Sequence, residues 1–155
     1  MLHSLKVTQL LKSDMITVWD FMSSPANLEL ITPPALELRI LSGTEPTGKM
    51  HAGQILEYSV RPFPLVKMHW VTEITHVVPL QYFVDEQRYG PYAFWHHQHS
   101  FKEVPDGIEM TDLLYYKVPF GWAGRLLNAL LIKRQVKNIF ASRYKKLEML
   151  FNNGK

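Results

Sequence analysis

Apolar and polar positions alternate with a period of two at the start of the chain and again from Leu36 to Val118. Side chains of a β-strand point to opposite faces of the sheet in turn, so this period predicts strands. Short segments containing Gly, Pro and Asp separate them, which favours antiparallel neighbours. The predicted strands are His3–Lys12, Leu36–Leu41, Gln54–Arg61, Val66–Val77, Gln81–Tyr89, Phe94–Val104 and Ile108–Val118.

Helical spacing of apolar residues predicts two short helices after the first strand and one long helix at the C-terminus. Ser13 is typical of an N-cap, with Asp14 in the first turn of a helix over 15–22. A second helical segment covers 26–31. After Gly121 the apolar residues recur mostly at steps of three and four, and we expect this stripe to be buried: Trp122, Leu126, Leu130, Val136, Phe140, Tyr144, Leu147 and Phe151.

This order of elements predicts one α+β domain over residues 1–155, in which a curved antiparallel sheet wraps the long helix. We expect a cavity between the sheet and the helix, because a curved sheet around a single helix rarely fills its own interior.

The segment Val104-Pro105-Asp106-Gly107-Ile108 predicts a tight hairpin, because proline presets one backbone angle and glycine accepts a positive one. If Pro105 and Asp106 close the turn, paired residue numbers sum to about 211. This register places four pairs on the more apolar face: Phe101 with Met110, His99 with Asp112, His97 with Leu114 and Trp95 with Tyr116. Folding back of the preceding strand places Asp85 near His97 or His99.

The predicted interior therefore contains a group of polar side chains among aromatic ones. Apolar walls bury a small ligand, and a few convergent polar groups orient it. We take the following as candidate ligand-binding residues: Tyr58, Trp70, Phe83, Asp85, Gln87, Trp95, His97, His99, Phe101, Asp112 and Tyr116.

Several interpretations of the histidines and acids remain open. The acids could simply satisfy buried histidines, or the group could bind the polar end of a ligand. Acid–base catalysis is a third possibility, with His99, His97, Asp112 and Asp85 as candidate catalytic residues. The spacing His97-x-His99 also suits metal ligation, completed by Asp85 or Asp112. We expect neither a metal ion nor an organic cofactor, because the usual sequence motifs of such sites are absent.

Charge is distributed unevenly around a net formal charge of +3. Residues 122–151 contain seven basic residues and one acidic residue, which we interpret as a solvated helix face and not as a nucleic-acid surface. The apolar side of this segment is also compatible with weak contact to a membrane surface, with Arg125, Lys133 and Lys137 facing lipid phosphates. The chain contains no cysteine and no apolar stretch long enough to span a bilayer, so we expect a cytoplasmic protein, either a monomer or a homodimer.

The order of elements and several motifs resemble the START-like superfamily, also called SRPBCC, in a bacterial branch. The motifs are Asp85-x-Gln87, Gly90-Pro91-Tyr92, Trp95-x-His97-x-His99-x-Phe101 and Met110-x-Asp112. This resemblance implies the helix-grip fold, in which seven antiparallel strands surround a long C-terminal helix and two small helices follow the first strand. It also implies a hydrophobic cavity, in proteins that range from lipid carriers to polyketide cyclases and dehydrases.

We therefore expect the protein to bind or transport a small hydrophobic ligand that is lipid-like, isoprenoid or polyketide-like. Two alternatives remain: a cyclase/dehydrase-type enzyme that uses a histidine–carboxylate pair, and an interaction module that uses the basic C-terminal helix.

Overall fold

The computed structural model describes residues 1–44, 48–63 and 66–153. Its strands are β1 (His3–Leu11), β2 (Arg39–Ser42), β3 (Gln54–Phe63), β4 (Val66–Val78), β5 (Tyr82–Tyr89), β6 (Phe94–Val104) and β7 (Gly107–Lys117). Its α-helices are α1 (Met15–Met22), α2 (Leu28–Ile31), α3 (Gly121–Leu127) and α4 (Lys133–Phe151). Short 3₁₀ turns cover Pro25–Asn27 and Pro34–Leu36, and a π-helical turn covers Asn128–Ile132.

The seven strands form one antiparallel sheet in the order β1-β7-β6-β5-β4-β3-β2. The predicted architecture is confirmed, although β2 begins three residues later than expected. The Pro34–Leu36 turn occupies the start of the predicted strand, since proline fixes its own backbone angle and cannot donate a hydrogen bond to a sheet.

The β6–β7 hairpin has the predicted register, including the pairs His99 with Asp112 and His97 with Leu114. Gly107 closes the turn with a φ of +138°. A Cβ atom at Gly107 would lie 2.2 Å from the carbonyl oxygen of Leu11, so the close approach of β1 also requires glycine. The hairpin consequently points its buried side chains in the expected direction.

The N-cap of α1 differs from the prediction. Asp14 caps the helix in place of Ser13, because its Oδ1 accepts a hydrogen bond from the backbone N of Thr17 at 2.9 Å. Its Oδ2 also accepts from Thr17 Oγ1 at 2.7 Å. A carboxylate facing the first turn is a favourable N-cap, and the helix covers the predicted residues 15–22.

The C-terminal helix runs from Gly121 to Phe151 through the π-helical turn, and it confirms the prediction of one long helix after Gly121. The prediction of its buried face is wrong for Trp122, Leu126 and Leu130, which are 74%, 56% and 66% exposed, and for Tyr144, which is 39% exposed. Gly124, Asn128, Ile132, Val136, Phe140 and Leu147 face the interior instead.

Two local contacts explain which face is buried. A Cβ atom at Gly124 would lie 1.7 Å from the carbonyl oxygen of Pro119, so only glycine fits there. Tyr116 on β7 donates a hydrogen bond to Oδ1 of Asn128 at 3.2 Å, which holds Asn128 against the sheet. From residue 122 to residue 132 both the inward and the outward sets recur every four residues, so periodicity alone does not distinguish them.

Candidate functional site

A cavity of about 360 Å³ lies between the concave face of the sheet and the C-terminal helix. This volume falls within the range of small-molecule sites. Most of the lining is apolar and comes from β3, β4, α1, α2 and the C-terminal helix. It includes Met22, Ile31, Val60, Met68 and Ile139. Seven of the predicted ligand-binding residues also line it: Tyr58, Trp70, Phe83, Asp85, Trp95, His97 and His99.

The two histidines and two acids of the prediction form a closed cluster on the sheet side of the cavity. Oδ2 of Asp85 lies 3.3 Å from His97 Nδ1 and 3.2 Å from His99 Nε2. Oδ1 of Asp112 lies 3.2 Å from His97 Nε2 and 2.7 Å from His99 Nδ1. Each imidazole therefore bridges both carboxylates, and the ring centroids are 3.9 Å apart.

Alternation along the strands produces this cluster. His97 and His99 are two residues apart on β6, so both point inward, where they are 3% and 4% exposed. Asp85 pairs with His97 across β5 and β6, and Asp112 pairs with His99 across β6 and β7. Each acid thus reaches the imidazoles from a neighbouring strand.

Charge and burial act in opposite directions on the pKa values of the cluster. Burial alone would raise the pKa of Asp85, but the charges of His97 and His99 and their hydrogen bonds hold it below its ordinary value. The same balance lowers the pKa of Asp112. Burial alone would lower the pKa of His97, yet Asp85 and Asp112 raise it. The acids are therefore ionised, and His97 favours its protonated form.

Aromatic rings support the cluster from both sides. Phe83 stacks on the ring of His99 with centroids 4.3 Å apart, and Phe140 meets the edge of His97 at 5.2 Å. Trp95 Nε1 donates a hydrogen bond to Oδ1 of Asp85 at 3.3 Å. These contacts restrict the orientation of the polar groups.

Four predicted ligand-binding residues lie outside the cavity lining, and each has a local role. Gln87 binds the backbone of Tyr92, donating to its carbonyl oxygen at 2.7 Å. Phe101 packs against Trp19 with ring centroids 5.6 Å apart. Asp112 lies behind the histidines, and the Tyr116 hydroxyl donates to Asn128. Alternation predicts which face of the sheet a residue lies on. Whether that residue reaches the cavity depends on the elements that pack over it.

Sequence reasoning did not identify Arg143, which lines the cavity from the helix side. Its Nε and Nη1 atoms are buried and have no hydrogen-bond partner among the described residues. The guanidinium carbon lies 5.4 Å from the centroid of the Phe140 ring. A signal was present in the sequence, since Arg143 follows Phe140 by three residues and precedes Leu147 by four, which is the spacing of the buried face.

Two tyrosines contribute hydroxyls to the cavity. Burial, with a further contribution from the charge of Asp85, raises the pKa of Tyr58 far above its ordinary value. Burial also raises the pKa of Tyr92, which the sequence analysis had not included among ligand-binding residues. Tyr92, Trp95 and Trp70 contact one another, with centroid distances of 4.8 to 5.6 Å, and form an aromatic wall. Both hydroxyls therefore remain neutral and are available as hydrogen-bond donors.

Solved structures of low sequence identity have the same fold. A Streptomyces aromatase/cyclase is 12% identical, with a TM-score of 0.67 and 99% of each chain covered. A major latex-like protein of Panax ginseng is 11% identical, with a TM-score of 0.69 over 97% of this chain and 98% of the other. A START superfamily protein of Mycobacterium smegmatis is 14% identical, with a TM-score of 0.66 over 96% and 99%.

No curated protein sequence matches the chain significantly. A family model described as polyketide cyclase/dehydrase and lipid transport matches residues 14–140. The observed sheet order and long C-terminal helix agree with the helix-grip fold of the START-like superfamily. The chain therefore belongs to the polyketide cyclase/dehydrase and lipid transport family of that superfamily.

Proposed function

We propose that this protein binds a small hydrophobic ligand that carries an acidic group, with the apolar part in the cavity and the acidic group on Arg143. Lipid-like, isoprenoid and polyketide-like acids fit this description. The observation that carries the proposal is that Nε and Nη1 of Arg143 are buried in a mainly apolar cavity without a hydrogen-bond partner among the described residues. A buried charge is costly unless it is paired, and a carboxylate ligand would supply the pair.

The cluster of Asp85, His97, His99 and Asp112 contributes to this selectivity. Its acids are already paired with imidazoles, so it presents no isolated positive charge to compete with Arg143. Neutral tyrosine hydroxyls beside it add hydrogen-bond donors. The cavity thus offers one cationic anchor and several neutral polar contacts.

Titration with a dansyl-labelled fatty acid tests the proposal. We expect saturable binding of one probe per chain, and at least tenfold better displacement by an unlabelled fatty acid than by the matching fatty alcohol, which is about 1.4 kcal/mol. Arg143→Met should remove this preference while leaving displacement by the alcohol unchanged. Arg134→Met, an exposed arginine of the same helix, is the matched control. Absence of saturable binding, or equal displacement by acid and alcohol, would contradict the proposal.

A cyclase/dehydrase-type reaction is the second function that the family allows. In this structure both nitrogens of His97 and of His99 face carboxylate oxygens. Because each of these nitrogens already contacts a carboxylate of the cluster, the geometry favours binding over general-base catalysis. If a substrate is found, His99→Gln should abolish its turnover but preserve its binding in the enzymatic case.

The exposed residues in the first half of the C-terminal helix suit contact with a membrane surface. Phe120 is 77% exposed and also lines the cavity, so the cavity reaches the surface beside the exposed apolar residues of α3. Trp122, Leu126 and Leu130 continue this apolar surface, and Arg125, Lys133, Arg134 and Lys137 are exposed near it. Apolar and basic side chains together are typical of binding to anionic lipid surfaces. Among the described residues, no helix is long and apolar enough to cross a bilayer.

Co-sedimentation with phosphatidylcholine vesicles, with and without phosphatidylglycerol, tests this contact. We expect binding only to the anionic vesicles, weakened by salt because screening reduces charge attraction. The double variant Trp122→Ser/Leu126→Ser should lose most of the binding. Met149→Ser/Leu150→Ser removes exposed apolar residues from the other end of the helix and should bind as the unmodified protein does. Equal binding to both vesicle types would exclude the charge-dependent contact.

A further inference from the structure

The side chains of Asp85, His97 and His99 have the geometry of a metal-binding site. One ligand atom from each residue can be chosen so that all three lie within 4.8 Å of one another. Oδ2 of Asp85 lies 3.3 Å from Nδ1 of His97 and 3.2 Å from Nε2 of His99. Ligand atoms about 2.1 Å from a common ion at tetrahedral or octahedral angles are about 3.0 to 3.4 Å apart, so both distances agree with shared coordination.

The contacts behind these atoms suit metal ligands as well. The other nitrogens of His97 and His99 both face Oδ1 of Asp112, at 3.2 and 2.7 Å. A histidine that binds a metal usually donates its second N–H to a carboxylate or carbonyl, which orients the ring. Asp112 is positioned to accept from both rings at once. Trp95 holds the remaining oxygen of Asp85 and so directs Oδ2 toward the histidines.

The contacts to Asp112 are close but not aligned as hydrogen bonds. His97 Nε2, His99 Nδ1 and Asp112 Oδ1 are buried and lack an aligned hydrogen-bond partner among the described residues. An ion placed between the imidazoles and Asp85 would replace the contacts on that side of the rings. Each ring would then need to donate only toward Asp112, which small rotations would align.

We propose that Asp85, His97 and His99 bind one divalent first-row transition-metal ion, with Asp112 orienting both histidines. Two imidazoles and one carboxylate suit such ions, whereas Mg²⁺ and Ca²⁺ prefer oxygen ligands. All three ligand residues line the cavity, while Asp112 lies behind them. The remaining coordination positions of the ion therefore face the cavity. This site does not depend on the identity of the hydrophobic ligand or on Arg143.

Metal binding is tested on the chelator-treated full chain without any organic ligand. Isothermal titration with Zn²⁺ should give one ion per chain, whereas Mg²⁺ should give no measurable heat. Co²⁺ should produce visible absorption bands that Zn²⁺ abolishes by displacement. His99→Gln should weaken Zn²⁺ binding at least tenfold, and Asp112→Asn should weaken it about 10- to 100-fold, as expected for a partner that orients the ligands. His96→Gln is the matched control, because His96 lies on the opposite face of the same strand with Glu86 at 2.7 Å.

X-ray absorption of the Zn²⁺-loaded unmodified protein provides a result that does not depend on how the variants fold. We expect a first coordination shell that includes two imidazoles. No binding by the unmodified protein, a shell with fewer than two imidazoles, or equal loss in His96→Gln would overturn the proposal. Binding of Zn²⁺ without fatty-acid binding would support the metal site and contradict the proposed function. Fatty-acid binding without Zn²⁺ binding would do the opposite.

Discussion

Charged groups are paired on the sheet side of the cavity but not on its helix side. On the sheet side, Asp85 and Asp112 are each within 3.3 Å of both imidazoles, so every charge has a close partner. On the helix side, Nε and Nη1 of Arg143 are buried without a hydrogen-bond partner among the described residues. Buried charges are normally paired. The protein pairs the charges on the sheet side with one another, whereas the unpartnered nitrogens of Arg143 call for an anionic ligand. Asp112 therefore stabilises the protein itself, whereas Arg143 is positioned to stabilise a complex with the ligand.

The largest expected effect on stability comes from a substitution on the sheet side of the cavity. Asp112→Asn removes the carboxylate that faces both imidazoles and leaves them buried beside a neutral amide. We expect the free energy of unfolding to fall by about 3 to 5 kcal/mol, the usual cost of breaking a buried ion pair from one side. Urea denaturation followed by circular dichroism measures it. A loss below about 1 kcal/mol would show that the cluster is not a stabilising ion-pair group.

A substitution on the helix side of the cavity should have a smaller effect on stability, and of opposite sign. Arg143→Met keeps the apolar stem of the side chain but removes two buried guanidinium nitrogens that have no hydrogen-bond partner among the described residues. We expect the ligand-free protein to gain about 0.5 to 2 kcal/mol in free energy of unfolding. Thermal unfolding of delipidated protein measures the change, with Arg134→Met as the exposed control. A clear loss of stability would mean that Arg143 is paired within the protein, and the contrast between the two walls would disappear.

The smallest effect is expected outside the cavity. His96 directly precedes His97 on β6 but points to the outer face, where its Nδ1 is 2.7 Å from Oε1 of Glu86. Surface ion pairs contribute little, so His96→Gln should change the free energy of unfolding by about 0.2 to 1 kcal/mol at most. The same urea experiment measures it. An effect as large as that of Asp112→Asn would mean that burial does not distinguish the two faces of this strand.

Much of the sheet side was predictable from sequence. The Pro105-Asp106 turn determined the pairing of His99 with Asp112, and strict alternation placed His97 and His99 on one face. The position of Asp85 followed from the next hairpin. Ser13 and Asp14 show a limit of such reasoning, because both residue types cap helices and only the contact with Thr17 decides between them.

The helix side was predicted less well. Trp122, Leu126 and Leu130 repeat every four residues, and so do Gly124, Asn128 and Ile132. Hydrophobicity favoured the first set as the buried one, but close packing at Gly124 and the hydrogen bond between Tyr116 and Asn128 bury the second. Arg143 was predicted to be solvated together with the other basic residues of this helix. That prediction rested on its charge, whereas its position on the helix places it on the buried face.

The sequence by itself determined which strands form, which residues of the hairpin face each other and which acids meet the two histidines. These features depend on local rules: a period of two, and a turn too short to allow another register. Only the tertiary structure decided which face of residues 121–132 is buried, whether a cavity of about 360 Å³ remains, and that Arg143 lines it with two nitrogens lacking a partner among the described residues. These depend on how the curved sheet and the helix pack against each other, and packing between distant segments is not encoded in any local pattern.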